Sequence, residues 1–358
     1  MRVLLVDRPY ATSIWILMSA IADEITRQGG VVASCALDNG CSWGGDSPMP
    51  GEVYRVQAFH AVSNPILHGI NLVAFARPFA GVLRRFQPDI VQTSSYLPGC
   101  MAALCTRATS KARVVITRHG RLGALHPAAR AATRLQLALS HLRIGVSKTV
   151  CEGDARMRVI YNGVDLQALA GARASQRPFA SPYIACTGRL FNVKGQARLL
   201  AAFAQLRATH PHMHLVLIGD GPERANLLRQ ADRAGLQDRF HITGWLEHAQ
   251  ALRWMAHAAL NVVPSTSVQE GFGLVLFEAI GLARPVVASR IPLFEELLNG
   301  RDFDVHLVDA FDVDALAAAC DRCLHDHGRA PANPDLSAFS LERMAKDYVA
   351  AYQELLAS

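Results

Sequence analysis

The stretch YIACTGRLFNVKGQARLLAAFAQL, residues 183–206, decides the fold class of this chain. It starts with an apolar run of strand length that ends at Thr187-Gly188. A loop with two cationic residues follows, and the remainder has the spacing of a long amphipathic helix. A buried strand, a loop and a covering helix together form the repeating unit of a parallel α/β sheet.

The same alternation of apolar strand-length runs and helix-period segments extends over nearly the whole chain. The predicted strands of the first half are RVLLVD (2–7), VVASCAL (31–37), VYRVQAF (53–59), DIVQTS (89–94), RVVIT (113–117) and RIGVS (143–147). Those of the second half are YIACTG (183–188), HLVLIGD (214–220), FHITG (240–244), ALNVVPS (259–265), PVVAS (285–289) and DVHLVD (304–309). Uniformly apolar strands between helices, such as 13–28 and 126–142, indicate parallel sheets covered on both faces.

A break divides this alternation into two series. The stretch LQALAGARASQRPFASP (166–182) is rich in small and polar residues and lacks a persistent period. We therefore predict an α/β protein with two doubly wound, Rossmann-like domains, residues 1–165 and 166–335, that face each other across a cleft. A final helix within residues 336–358 is expected to pack back toward the N-terminal domain. Ligands of such sheets bind beyond the carboxyl ends of the strands, so the chemistry is sought in loops that follow strands.

The composition limits the class of protein and of partner. Of the 358 residues, 51% are apolar and 18% are charged, which predicts a globular protein with large cores. The net charge of +6 favours an anionic partner, namely nucleic acid, an acidic membrane surface or a phosphorylated small molecule. A solvated basic surface without any partner would give the same charge.

The apolar segments predict a cytoplasmic protein, either free or peripheral to a membrane. The run Ile14–Ala22 is too short to cross a bilayer, which takes about 20 residues. Asp7 and Arg8 interrupt the first apolar run, so no signal peptide is expected. The Cys320–Cys323 pair has no second pair at metal-like spacing, and we expect reduced thiols rather than a zinc site.

Two cations, Arg189 and Lys194, lie in the loop between the strand and the helix of the stretch quoted first. The start of a helix carries partial positive charge and free N–H groups, and arginine can bind two phosphate oxygens at once. The pattern therefore favours a diphosphate ligand, and a solvated basic loop is the alternative.

A second informative segment, SVQEGFGLVLFEAIGLARPVVAS (267–289), follows another predicted strand. Glu270 ends the loop, the turn Gly271-Phe272-Gly273 allows close approach of a ligand, and a helix that carries Glu278 follows. Glu278 lies among apolar residues, where a carboxylate needs a partner, and the vicinal hydroxyls of a ribose are suitable. The alternative is that Glu278 only complements the helix dipole. Glu270 is better placed for the transferred sugar.

One weaker segment, FHITGWLEH (240–248), also follows a strand. It places Thr243 and Gly244 where main-chain groups could contact the edge of a base.

The second half resembles the family-4 retaining glycosyltransferases of the GT-B fold. The matching motifs occur in the family's order over about 130 residues, and they are VIYNGVD (159–165), GRL…KG (188–195), LVLIGDGPE (215–223), ITGWL (242–246) and EGFGLVLFEAIGLARPVVAS (270–289) with its Glu270–Glu278 pair. The resemblance implies that Arg189 and Lys194 hold the donor diphosphate, that Glu278 holds the ribose and that Glu270 contacts hydroxyls of the donor sugar. It also implies phosphate or sugar contacts for the turn after Glu270, formed by Gly271 and the amides of Phe272, Gly273 and Leu274.

The first half resembles the family less closely. In VVITRHG (114–120) a strand ends with His119, which resembles the histidine that family members place near the donor sugar. The family often has a Gly-Gly turn after the first strand, but DRPYATSIW (7–15) contains no glycine, so no residue is assigned there.

The implied reaction is attack by an acceptor hydroxyl on the anomeric carbon of a UDP- or GDP-linked sugar, with retention of configuration. No Asp-x-Asp lies in a suitable loop, so we predict that the reaction requires neither a metal nor a cofactor. The segments 66–86 and 121–143 are basic and partly apolar. This composition suits contact with an anionic membrane, and with it a glycan, lipid-linked or lipopolysaccharide-type acceptor. The alternative is that each segment is a core-covering helix with a solvated basic face. No nucleic-acid-binding motif is present. A nucleotide-sugar epimerase of the same fold and a non-catalytic nucleotide-sugar-binding subunit are the alternatives.

Overall fold

A computed structural model of the protein describes residues 1–9, 12–38, 48–57, 65–123, 125, 127–266, 270–325 and 334–358. The chain forms two compact units, one of Met1–Gly163 with Leu341–Ser358 and the other of Val164–Ser340. Five parts of the sequence interpretation lie outside the described residues, namely residues 10 and 11 of the stretch 7–15, the end of the strand predicted at 53–59, the start of the helix predicted at 126–142, the residues 267–269 before Glu270, and the segment 326–333.

The strands of the first unit are β1 (Arg2–Asp7), β2 (Val31–Asp38), β3 (Glu52–Gln57), β4 (Ile90–Thr93), β5 (Arg113–Arg118), β6 (Leu142–Gly145) and β7 (Met157–Val159). Those of the second unit are β8 (Tyr183–Thr187), β9 (His214–Ile218), β10 (Phe240–Ile242), β11 (Leu260–Val263), β12 (Val286–Ser289) and β13 (Val305–Val308).

The helices alternate with these strands along the chain. They are α1 (Thr12–Arg27), α2 (Pro65–Phe86), α3 (Leu97–Thr109), α4 (Pro127–Leu139), α5 (Lys148–Cys151), α6 (Leu166–Arg173), α7 (Gln196–Gln205), α8 (Arg224–Arg233), α9 (His248–Ala256), α10 (Leu274–Gly281), α11 (Pro292–Leu298), α12 (Val313–His325) and α13 (Leu341–Ala357). Short 3-10 turns occur at Asn192–Lys194 and Ser337–Phe339. In the described part of the chain, no helix has both the length and the apolar character that a membrane crossing requires.

The first unit is built on a parallel sheet in the order β3-β2-β1-β4-β5-β6-β7. Apart from Arg2, all residues of the central strands β1 and β4 are buried, because helices cover both faces of the sheet. Side chains of β1, such as Leu4 and Val6, pack with Phe75 and Phe79 of α2 in one core. The order reverses between β1 and β4, so the loops after these two strands flank a switch point.

Helix α13, at the end of the chain, belongs to the first unit. It packs on α1, and its buried face includes Met344, Tyr348 and Tyr352. The hydroxyl of Tyr348 lies 3.2 Å from Oγ1 of Thr117 at the end of β5. The last turns of the chain therefore complete the core of a unit whose other residues come from the N-terminal half.

The second unit is built on a parallel sheet in the order β10-β9-β8-β11-β12-β13. Its largest core cluster joins Leu199 and Phe203 of α7 to Leu217 of β9 and Leu316 of α12. The switch point lies between the adjacent strands β8 and β11. Both sheets are parallel and doubly wound, as the sequence pattern predicts.

The expectation that residues 166–182 are irregular was wrong at the start of this stretch, where α6 forms. Asp165 caps the helix, because its Oδ1 accepts hydrogen bonds from the amides of Gln167 at 3.0 Å and Ala168 at 2.9 Å. Leu and Ala are strong helix formers, and burial of Leu169 and Ala172 fixes this short helix on the second unit. Only the residues after α6 remain without regular structure up to β8.

Candidate functional site

The loops after β8 and β11 lie side by side at the switch point of the second unit. The loop after β8 contains Arg189 and Lys194, and the loop after β11 leads to Glu270. After β8 the chain continues to β9 on one side of this pair, and after β11 it continues to β12 on the other side. The connections therefore diverge, which opens a crevice at the carboxyl ends of the two strands.

Backbone contacts fasten these two loops to each other. The amide of Thr266 donates to the carbonyl oxygen of Val193 at 2.9 Å, and its hydroxyl donates to the same oxygen at 3.3 Å. Gly195 has φ of +75°, and a Cβ added there would lie within 3.0 Å of the Pro264 carbonyl group. Glycine is therefore required at this position for two reasons, namely its backbone angle and its close contact with the neighbouring loop.

This fastening places Lys194 against Glu270. The Lys194 ammonium donates to Oε1 of Glu270, and Oγ of Ser265 donates to the same oxygen at 2.8 Å. The side chains of Lys194 and Glu270 are 29% and 14% exposed, so the pair lies partly buried but remains open to a ligand. An ammonium has three donors, and contact with one carboxylate oxygen leaves donors for phosphate oxygens.

Arg189 directly follows Gly188 at the end of the β8 strand run, and it is exposed. Its backbone carbonyl accepts a hydrogen bond from Nε2 of Gln196 at 3.0 Å, which ties the loop to the first turn of α7. Its guanidinium lies 5.1 Å from the ring centre of Phe191. Within the described part of the chain Arg189 forms no ion pair, and its side chain is exposed at the surface of the loop.

The start of α10 is fixed by the turn after Glu270. Gly273 has φ of +77°, and a Cβ there would lie 2.5 Å from the ring of Phe294. The ring of Phe272 is buried and stacks on Phe277 at 5.1 Å between centroids. The phenyl ring thus anchors the turn, and Leu274 begins the helix directly after it.

Glu278 on α10 has a partner that the sequence interpretation missed. Nε2 of His248, the first residue of α9, lies 2.8 Å from Oε1 of Glu278. The hydrogen bond with Glu278 raises the pKa of His248, against the opposing effect of burial. Thirty positions separate the two residues in sequence, so no local pattern could reveal this pair. Ser265, in contrast, is the last residue of the strand predicted at 259–265, and a polar residue at a strand end is a signal that could have identified it.

Gly244 lies in the loop after β10 and connects with the neighbouring loop. It pairs with Gly219 in an isolated antiparallel bridge, and its carbonyl accepts a hydrogen bond from Oγ1 of Thr243 at 2.8 Å. Gly188 donates its amide to Ile218 at 2.9 Å. The loops after β8, β9 and β10 therefore lie together at one edge of the sheet.

His119 belongs to the first unit and follows β5. Loss of solvation lowers its pKa to about 4, so the imidazole is neutral at physiological pH. The adjoining loop is held by Glu152, which accepts from the amides of Leu122 at 3.0 Å and Gly123 at 3.2 Å and from Arg118 at 3.2 Å.

The described residues at the end of β1 are organised by a buried carboxylate. Asp7 accepts hydrogen bonds from the amide of Arg8 at 2.7 Å and from the hydroxyl of Ser94 after β4. Burial raises the pKa of Asp7. The indole N–H of Trp15 donates to the Arg8 carbonyl oxygen at 2.8 Å, which joins α1 to the end of β1 at the switch point of the first sheet.

One group of residues has the composition of a metal site, but it lies elsewhere. The possible ligand atoms of His210, Asp321 and His325 lie within 4.8 Å of one another. Nε2 of His210 is 2.9 Å from Oδ1 of Asp321. His210 lies beyond the C-terminal end of α7, whereas the loop with Lys194 precedes its start. We therefore assign this group no part in the chemistry at the switch point. The seven described cysteines, Cys320 and Cys323 among them, are buried free thiols.

Two family models match consecutive parts of the chain. Residues 181–326 match the model of glycosyl transferases group 1, and residues 19–168 match the model of glycosyltransferase family 4. Together the two matches extend over both units of the structure.

The matches to two curated relatives each cover less than half of this chain. Glycogen synthase of Mycobacterium tuberculosis is 35% identical over 151 residues, which are 42% of this chain and 36% of the relative. A lipopolysaccharide core biosynthesis glycosyltransferase of Rhizobium meliloti, LpsD, is 34% identical over 156 residues, or 43% of each chain. The chain thus spans less than half of the length of either relative.

Solved structures resemble the whole chain in fold. A sucrose-phosphate synthase from Thermosynechococcus elongatus has a TM-score of 0.80 at 21% identity and covers 100% of this chain and 99% of its own. Anabaena HepE in complex with UDP and glucose has a TM-score of 0.77 at 21% identity, with 99% of each chain covered. At these identities the similarity shows the fold alone.

Proposed function

This chain belongs to the group 1, family 4 glycosyltransferases and has the GT-B fold, and from that premise we propose that it transfers a sugar from a nucleotide diphosphate sugar to an acceptor hydroxyl. The structural neighbour HepE is described in complexes with UDP and with UDP-glucose, which supports a nucleotide sugar as the donor. UDP- and GDP-linked sugars are the candidate donors.

The observation that carries this proposal is the contact between Lys194, Glu270 and Ser265 at the switch point. A cation and a carboxylate from two different loops are brought to one place, beside a helix start that only glycine permits at Gly273. Such a site can bind a diphosphate through the cation and the helix amides, and sugar hydroxyls through the carboxylate.

In the proposed reaction the acceptor oxygen bonds to the anomeric carbon, and the bond from that carbon to the β-phosphate oxygen breaks. Negative charge grows on the departing nucleotide diphosphate, which also takes the proton of the acceptor hydroxyl. Lys194, Arg189 and the amides of Phe272, Gly273 and Leu274 stabilise that charge more in the transition state than in the ground state. Gly271 is part of the turn that contacts the donor, and Gly244 provides main-chain contacts for the base.

We propose further that the transfer retains the anomeric configuration and requires no metal. Fixed cations stabilise the leaving group, and Glu270 holds hydroxyls of the donor sugar rather than forming a covalent intermediate. His119 acts as a neutral hydrogen-bonding group near the donor sugar, which is consistent with its lowered pKa. Glu278 binds the ribose hydroxyls.

The acceptor is proposed as a glycan, lipid-linked or lipopolysaccharide-type hydroxyl. The relative LpsD acts in lipopolysaccharide core biosynthesis by its name, and another relative from Mycolicibacterium smegmatis is named as a phosphatidylinositol monomannoside mannosyltransferase. Cytoplasmic location and contact with an anionic membrane through the basic segments 66–86 and 121–143 stay predictions.

The proposal is tested by thermal shift and calorimetry with UDP-glucose and GDP-mannose in the presence of EDTA. At about 100 times its dissociation constant, a ligand stabilises the protein by about 2.7 kcal/mol. Lys194→Ala and Arg189→Ala should each weaken binding at least tenfold, because hydrogen bonds to charged groups contribute about 1.5–3 kcal/mol. Arg207→Ala is the matched control, since Arg207 is an exposed cation just after α7.

The products distinguish the proposed reaction from its alternatives. Release of nucleotide diphosphate with the sugar attached to an acceptor supports a transferase, and the coupling constant of the new anomeric proton reports retention. A nucleotide sugar with an inverted ring hydroxyl would identify an epimerase. Binding without turnover over a panel of glycan and lipid acceptors would indicate a non-catalytic subunit. Equal binding by the wild type and both cation variants would refute the phosphate site.

A further inference from the structure

The contact between His248 and Glu278 joins two helices at the edge of the proposed donor site. His248 is the first residue of α9, and Glu278 lies on α10, so the hydrogen bond of 2.8 Å spans two separate elements. The side chain of Glu278 is 13% exposed and that of His248 is 34% exposed. The carboxylate is therefore mostly enclosed, and the imidazole is the more exposed of the two groups.

A carboxylate that binds two vicinal hydroxyls must be held in one orientation. Glutamate has three side-chain torsions, and a hydrogen bond to Oε1 from a neighbouring helix restricts them. The other oxygen, Oε2, and the remaining lone pair of Oε1 then stay available as acceptors for hydroxyl groups. Holding the group before the ligand arrives lowers the entropy lost on binding.

The charges around His248 favour its protonated form. Glu278 acts from α10 and Asp165 acts from the start of α6, and both are acidic. These helices and β8 are the elements that pack on α9 most closely among the described residues. The pKa of His248 is accordingly raised, mainly by the hydrogen bond with Glu278. A protonated His248 donates a stronger hydrogen bond and also adds positive charge where an anionic donor binds.

We propose that His248 is a positioning residue that orients Glu278 for the ribose hydroxyls of the donor nucleotide. This inference rests on the proposed function, in which Glu278 binds the ribose. Donor affinity is highest while His248 is protonated, and it falls as the pH rises through the pKa of this histidine.

The test compares three variants at His248 and Glu278 by calorimetric titration. His248→Ala removes the hydrogen bond, His248→Gln keeps a donor near the same position but cannot be protonated, and Glu278→Ala removes the carboxylate. The probe is UDP-glucose or GDP-mannose, whichever the wild type binds, with its 2′-deoxyribose counterpart. A nucleotide sugar carries no group that titrates between pH 5.5 and 8.5, so the protein alone determines the pH profile.

We expect His248→Ala to bind the ribonucleotide sugar about three- to tenfold more weakly, which is the usual effect of one hydrogen bond. Its preference for ribose over 2′-deoxyribose should fall by a similar factor, because the loss acts through the hydroxyls. His248→Gln should restore most of the affinity and the preference at pH 8.5, and both variants should lack the wild-type pH dependence. A histidine with only a structural role would change neither the sugar preference nor the pH profile.

The outcomes separate this inference from the proposed function. If Glu278→Ala weakens binding and removes the ribose preference while His248→Ala matches the wild type, the role of His248 is refuted alone. If Glu278→Ala itself binds like the wild type, the ribose site in the proposed function is wrong. If the wild type binds neither probe, both are wrong.

Discussion

Replacement of Gly195 by alanine tests whether the two loops at the switch point depend on their backbone contact. Gly195 has φ of +75°, and an added Cβ would lie within 3.0 Å of the Pro264 carbonyl group, which is backbone and cannot rotate away. The left-handed angle costs a residue with a Cβ about 1–2 kcal/mol. Overpacking against a neighbour costs about 1–3 kcal/mol more. We therefore expect Gly195→Ala to lose about 2–5 kcal/mol of the free energy of unfolding.

Gly300→Ala is the matched control, because it carries the cost of the left-handed backbone angle without the cost of overpacking. The difference between the two variants therefore isolates the overpacking. Gly300 lies in the same unit and has φ of +70°, but a Cβ there would meet nothing within 4 Å. The control should lose only about 1–2 kcal/mol. In a domain of this size, 1 kcal/mol corresponds to about 2–4 °C in Tm. Differential scanning calorimetry of the two variants should therefore show a clearly lower Tm for Gly195→Ala.

Donor binding provides the second measurement on the same pair of variants. A shift of the loop at Gly195 moves the adjacent Lys194 away from Glu270, so Gly195→Ala should bind a nucleotide sugar at least tenfold more weakly. Gly300→Ala should bind like the wild type. Equal losses of stability in the two variants would refute the steric reasoning, and unchanged donor affinity in Gly195→Ala would refute the link between this turn and the binding site.

Three further predictions concern groups outside this contact. Burial lowers the pKa of His119 to about 4 from 6.5, so the unfolded chain binds a proton at this histidine at a higher pH than the folded chain does. The stability of the wild type should therefore fall as the pH drops from 6.5 toward 4. Thermal melts of His119→Gln should lack this part of the loss. Asp165→Ala should lower the stability of the second unit by about 1 kcal/mol in urea unfolding, because two amides at the start of α6 lose their acceptor, whereas Asp165→Asn should retain most of it. Glu152→Gln should cost about 1–3 kcal/mol at pH 7, since the carboxylate accepts hydrogen bonds from two amides and Arg118. Burial raises the pKa of Glu152, but these hydrogen bonds lower it overall, so its stabilisation is present above pH 4.5 and is lost as the pH falls through the lowered pKa. The difference between Glu152→Gln and the wild type should therefore shrink in acid, and a constant difference would contradict this account.

The elements with strong local signals were predictable from the sequence. Apolar runs flanked by loops gave most strands of both sheets, because a strand buried on both faces has no polar positions. The glycine turn before Leu274 was also visible, because a left-handed residue at a helix start nearly requires glycine. Helix α6 was missed because its cap and its two buried side chains form no extended periodic pattern. Strand β7 was missed because Arg158 separates its two apolar residues, Met157 and Val159, so no apolar run marks it.

The sequence by itself determined the parallel α/β class of the chain and the residue types available in each loop after a strand. These features follow from the period of apolar residues and from the backbone angles that glycine allows, and both are local properties. The tertiary structure alone decided which of those residues meet. Lys194 contacts Glu270 because β8 and β11 are adjacent at the point where strand order reverses, and His248 contacts Glu278 because α9 and α10 pack together. Such pairs depend on strand order and helix packing, which many distant residues fix jointly and no single stretch of sequence encodes.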